Sequence, residues 1–119
     1  MVLWALVALS ALALAASVGA LMDLRLAVRH REHAAALGAA ESGIAEAVAA
    51  VTLEPLRALG ADSGTGSEAD AAWTVRWVPA GRGLRIRATG FAGPAIREIE
   101  AWAAPAGTDW RVTGWREIR

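Results

Sequence analysis

Hydrophobic positions follow three regimes along the chain: an unbroken apolar run, then recurrence every three to four residues, then alternation. The run covers residues 1–22 and carries no charged side chain. A helix of that length spans about 33 Å, slightly more than the hydrocarbon core of a bilayer. From Asp23 to Leu53 the apolar positions Leu26, His33, Leu37, Ala40, Ile44, Ala47 or Val48, and Val51 keep helical spacing, while Arg25, Arg29, Glu32, Glu41, Ser42 and Glu46 fill much of the rest. Pro55 removes an amide donor and disfavours helical geometry at Glu54, so the helix ends near Leu53, with a short extra turn at Pro55–Leu59. Residues 60–71 are small, polar and Gly/Ser-rich, which predicts a flexible connector.

Alternation begins at residue 72. Trp73, Val75 and Trp77 alternate with Thr74 and Arg76, and Leu84, Ile86 and Ala88 alternate with Arg85, Arg87 and Thr89. A third strand runs from Ala95 to Ala103, with a bulge expected where the pattern slips between Ile96 and Ile99. A last strand alternates Trp110, Val112 and Gly114 with Arg111, Thr113 and Trp115. The expected fold class is α+β: one helix over about 2–53, its first half transmembrane, its second half packed on a four-stranded antiparallel sheet. The chain divides into 1–22 (membrane half), 23–59 (amphipathic half), 60–71 (linker) and 72–119 (sheet). Helix–sheet packing falls to Leu37, Ile44, Val48, Val51, Trp73, Trp77, Ile86 and Trp110.

Composition narrows the functions. Twelve basic and twelve acidic side chains balance, so no electrostatic case for nucleic acid exists. Cys is absent, which excludes disulfides and thiolate metal sites. His30, Glu32 and His33 form the one cluster with metal-ligand character, but no third ligand follows at a suitable spacing, and a solvated helix segment explains them. Glu98 and Glu100 read as cross-strand ion-pair partners of Arg85 and Arg87 rather than as an acid/base pair. No nucleophile motif or phosphate loop is present; no enzyme, cofactor or metal site is expected. Core packing accounts for Trp73, Trp77 and Trp110. Trp102 and Trp115 fit the core less well and are candidate subunit contacts, with Asp23, Arg25 and Glu41.

In the apolar run, Trp4 sits where an interfacial Trp belongs, and Ala15 with Gly19 forms a small-xxx-small pair; with Leu6 and Leu12 these are the candidate membrane and helix-assembly positions. Arg25, Arg29 and Arg31 follow the span and no basic residue precedes it, which by the positive-inside rule places the C-terminal part in the cytoplasm.

Three segments resemble type IV pilin-like proteins. Val2-Leu3-Trp4-Ala5-Leu6 resembles the apolar opening of K-type minor pseudopilins of type II secretion. Glu41-Ser-Gly-Ile44, preceded by Ala39-Ala40, is similar to the Ala-Glu-x-Gly-Ile segment of K-type pseudopilins and X-type minor pilins. Trp110-Arg-Val-Thr-Gly-Trp115-Arg-Glu-Ile118 resembles the closing strand of X-type minor pilins. The resemblance implies a structural minor subunit of a pilus or secretion filament. Such a subunit is held in the bacterial inner membrane with its sheet in the periplasm, and its partners are the membrane and other pilin or pseudopilin subunits. The family's basic, Gly-ended leader does not precede Val2, which predicts a true start upstream of Met1. Ala5 stands where major pilins carry Glu, as K-type proteins also lack that acid, but the K-type inserted helical domain has no counterpart here. The alternatives are a single-pass envelope protein with a small β domain, and a binding domain secreted after signal cleavage near residues 16–20.

Overall fold

The structure is a computed structural model that describes residues 2–119, with side chains from Leu3 onward; the Met1 end of the apolar run lies outside the described residues. Helix α1 runs Val2–Leu53 without a break. Glu54 leaves the helical region at φ −129°, ψ 80°, as a residue before proline must, and a single 3₁₀ turn follows at Pro55–Leu59. Five strands complete the chain: β1 (Asp62–Glu68), β2 (Ala71–Ala80), β3 (Gly83–Ala92), β4 (Ala95–Ala106) and β5 (Asp109–Glu117). They pair in sequence order as an antiparallel meander. The chain forms two compact units, Met1–Arg31 and Glu32–Arg119.

The second unit is α+β, with α1 on one face of the sheet. That face carries Trp73, Val75 and Trp77 from β2, Leu84, Ile86 and Ala88 from β3, and Ile99, Ala101 and Ala103 from β4. The helix answers with Ala40, Ile44, Ala47 and Val51. Each fully buried large side chain here, such as Ile86, Ile99 or Val51, contributes about 1.5–3 kcal/mol through burial. A smaller cluster joins Ala36 to Ala92 and Ala95. The buried stripe of α1 is built mainly from Ala and Gly, so the helix lies close to the strands. A methyl group on Gly90 would stand 1.8 Å from the Ala36 carbonyl oxygen, and one on Gly43 would stand 3.1 Å from the Ala88 Cβ.

The sheet has five strands, not four. The stretch read as a linker, residues 60–71, contains β1, which pairs with β2 from Asp62↔Trp77 to Glu68↔Ala71. Its Gly content has a packing cause. Gly66 lies under the Trp73 indole, where a Cβ would come within 2.3 Å of the ring, and Gly64 lies under the Glu46 carboxylate, where a Cβ would come within 2.7 Å. Small residues here accommodate a large neighbour.

Two further expectations change. β3 and β4 hold one register from Leu84↔Ala103 to Ala92↔Ala95, so no bulge separates Ile96 from Ile99. Ile96 instead stands on the outer face opposite Phe91, and Arg97 stands on the inner face opposite Gly90. β4 also runs on to Ala106 rather than ending at Ala103. The irregularity lies between β4 and β5, where Trp102↔Gly114 is followed by Ala103↔Val112, leaving Thr113 as the extra residue. Its hydroxyl donates to the Trp102 carbonyl at 3.2 Å. The bulge puts Trp115, opposite Ala101, on the same face as Trp110 and Val112 rather than the opposite one.

Candidate functional site

In the first unit the helix is apolar and uncovered. Trp4, Leu6 and Leu12 are exposed, with Trp4 at 80%, and Ala15 and Gly19 are exposed as well. The Ser17 hydroxyl donates to the Ala13 carbonyl at 2.9 Å, which satisfies it without water. The helix is long and apolar enough to cross a membrane, and none of its most apolar window is buried in the protein. Burial inside this chain therefore does not account for its hydrophobicity. Asp23 and Arg25 are exposed and belong to no ion pair among the described residues.

In the second unit α1 is fastened to the sheet by polar as well as apolar contacts. Ile44, Val51, Trp77 and Ile86 are buried, and Leu37, Val48 and Trp110 pack partly buried against them. Trp73 is half-buried and its indole N–H donates to the Glu46 carboxylate at 2.5 Å. Sequence reasoning missed Glu46 as a partner. The signal was its place one turn from Gly43 on the sheet-facing side. The 3₁₀ turn closes the other end: Trp77 Nε1 donates to the Arg57 carbonyl at 3.3 Å, and the Arg57 guanidinium lies 5.1 Å from the Trp77 ring centre. The same guanidinium donates to Asp62 at 2.7 Å. That bond holds the Asp62 carboxyl below its ordinary range and raises Arg57 further.

The outer face of the sheet is an ion-pair lattice centred on Glu100. Arg87 and Arg116 donate to its two oxygens at 3.0 and 3.1 Å. The hydrogen bond from Arg87 is the leading cause that lowers the Glu100 pKa. Glu98 takes Arg87 at 3.4 Å and Arg119 at 3.3 Å. Arg85 makes no ion pair among the described residues. It stands opposite Trp102 instead, and Arg116 and Arg119 supply the bonds expected from it. On the inner face Arg97 pairs with Glu117. Glu98 and Glu100 each lie between two guanidinium groups, and Glu117 meets one.

The remaining candidate contacts lie apart. Trp102 is half-buried, with the Arg116 guanidinium 5.7 Å from its ring centre. Trp115 is 60% exposed on β5. Glu41 is exposed at the rim of an open apolar groove of about 590 Å³, which runs between Ile44, Val48 and Thr52 of α1 and Val112 of β5. His30 is exposed and His33 half-buried. Among the described residues no three His, Asp or Glu side chains come together as a metal site.

These features define a class by architecture: an α+β protein with one long N-terminal helix, apolar and bare in its first part, carrying an antiparallel sheet on its second. No protein-family profile, curated protein or solved structure matches this chain.

Proposed function

We propose that this chain is a structural minor subunit of a type IV pilus or type II secretion filament, a minor pilin or pseudopilin that works by helix-mediated assembly. The observation that carries the reading is α1. It is one unbroken helix from Val2 to Leu53, and the cluster of buried side chains that joins it to the sheet begins only at Ala36. A plain membrane anchor needs no continuity between its span and its domain. A filament subunit does, because the apolar helix must pass from lipid into a bundle of equivalent helices while it stays coupled to the domain that sets partner choice. Both environments satisfy the same surface: backbone groups are bonded within the helix, and apolar side chains meet lipid or other apolar side chains. In this reading the helix sits in the bacterial inner membrane, and the sheet occupies the periplasm.

The second reading is a single-pass envelope protein unrelated to filaments. Arg25, Arg29 and Arg31, directly after the span, favour it, since they draw that flank toward the cytoplasm. Orientation tests the filament reading. The chain has no Cys, so Thr108→Cys in the exposed β4–β5 turn supplies a single thiol. The filament reading expects this thiol to react with a membrane-impermeant maleimide in cells with a permeabilised outer membrane and an intact inner one. Reaction only after the inner membrane is lysed overturns it.

A further inference from the structure

The sheet ends in two free edges that differ in how they are protected. β5 carries a bulge at Thr113 and the cations Arg111 and Arg116, devices that discourage strand pairing. β1 has none of these. Its seven residues, Asp62–Glu68, contain no Pro and no basic side chain, and its register against β2 is unbroken. One rim of β1 is paired with β2; the other is not paired with any strand of this sheet.

We propose that β1 is a docking edge for an extended segment of another protein, which adds to the sheet as a sixth strand and carries basic residues at its ends. The chemistry on either side of β1 sets this choice. Gly64 and Gly66 face the helix side without side chains, so an added strand meets the half-exposed Trp73 indole and the Glu46 carboxylate there. Apolar side chains of moderate size at the two central inward positions would cover the indole. Asp62 and Glu68 bracket the strand, and Asp70 and Glu54 lie beyond its two ends in sequence; Arg57 pairs with Asp62, and Arg76, Arg85 and Arg87 line a cleft shared with Asp62 and Ser63, so Glu68 is the less compensated of the two acids. A second copy of this chain fits poorly. Antiparallel pairing about Thr65 sets Asp62 against Glu68 twice, and in-register parallel pairing sets each acid against itself.

The test uses the full chain in detergent micelles and a blocked, fluorophore-labelled peptide of sequence Arg-Thr-Val-Thr-Val-Thr-Arg. Antiparallel to β1, its Arg residues fall opposite Asp62 and Glu68 and its Val residues opposite Gly64 and Gly66. Two comparison peptides replace both Arg by Glu, or N-methylate alternate backbone amides. The expected result is about tenfold tighter binding of the Arg-ended than the Glu-ended peptide, from two charge pairs changed from unlike to like. N-methylation also weakens binding at least about tenfold, because the added strand loses its ladder bonds. Amide exchange at residues 62–68 slows on binding, and Glu68→Lys narrows the preference for Arg ends. Any of four results overturns the proposal: no peptide binds; the N-methylated peptide binds as tightly, so charge alone holds it; the Glu-ended peptide binds equally; or residues 62–68 become protected with rising protein concentration and no peptide, so a second copy is the occupant.

Discussion

Gly90→Ala tests how closely the helix approaches the sheet. The added methyl group would lie 1.8 Å from the Ala36 carbonyl oxygen and 2.6 Å from the Ala40 amide nitrogen. Both obstacles are backbone atoms, so no rotamer change relieves the contact. Restoring an ordinary separation requires α1 to retreat by about 1.5 Å around Ala36–Ala40. A gap of that size forfeits more than half of the dispersion attraction across the contact. Overpacking in a dense core costs about 1–3 kcal/mol, and a backbone obstacle puts this case at the top of that range. Gly38→Ala, two residues after Ala36 on the same helix, is the matched control. Gly38 is exposed and a Cβ there meets nothing within 4 Å. That substitution gains helix propensity alone and stabilises by about 1 kcal/mol. The same chemical change thus has opposite signs at the two sites, a spread of about 4 kcal/mol. Denaturant unfolding of the full chain in mild detergent, followed by Trp fluorescence, reads it, because Trp73 and Trp77 lie at the helix–sheet contact. A Gly90→Ala midpoint within about 0.5 kcal/mol of the parent, the range of a neutral surface change, would refute this packing.

Four further outcomes follow from the contacts. Glu46→Ala leaves the half-buried Trp73 N–H without its acceptor and costs about 1–3 kcal/mol, whereas Glu46→Gln keeps an acceptor and loses less; the same unfolding assay compares them. The folded-state pKa values of Glu100 and Asp62 lie below their ordinary values, so both contribute stability that is present above the usual carboxylate range and is lost as pH falls through the lowered values. Unfolding midpoints should therefore drop on acidification below about pH 4, and Glu100→Gln should make that drop smaller. Deletion of Thr113 removes the bulge but leaves Val112 opposite Ala103 and Gly114 opposite Trp102, so Trp110, Val112 and Trp115 keep the inner face; the deleted chain should still fold, losing only the Thr113–Trp102 hydrogen bond at about 0.5–1.5 kcal/mol in the same unfolding assay. Ala69 holds φ 51° in the β1–β2 turn, and Ala69→Gly relieves that strain for a net gain of about 0.5 kcal/mol after the extra unfolded-state entropy.

The elements with a strong period were legible, and those governed by neighbours were not. The helix from Val2 to Leu53 follows from an apolar run joined to a helical repeat and stopped at Pro55. β2 and β3 follow from clean alternation. β1 was hidden because its inward positions are Gly, and Gly64 and Gly66 look like linker until Glu46 and Trp73 are seen above them. The alternation of Ser63, Thr65 and Ser67 with those glycines was the available signal. The bulge at Thr113 breaks no hydrophobic pattern by itself, so strict alternation assigned Trp115 to the wrong face. Ile96 misled in the other direction: an apolar residue on the solvent side, paired with Phe91, looked like a slip of register. The buried stripe of α1 was only partly legible, since in so Ala-rich a segment the inward Ala36 and Ala40 resemble the outward Ala45 and Ala49.

The proposed filament role rests on an apolar helix that this chain does not itself cover. The most direct measurement is the fate of the chain in cells that make the proposed filaments: immunodetection after the cells are sheared and separated into filament, inner-membrane and soluble fractions. The account predicts the chain in the inner membrane and, in smaller amount, in the filament fraction, with substitution of Gly19 by Leu reducing the filament share. A chain found only in the soluble fraction, with a mature terminus near residues 16–20, or one confined to the membrane whenever filaments are made, contradicts it.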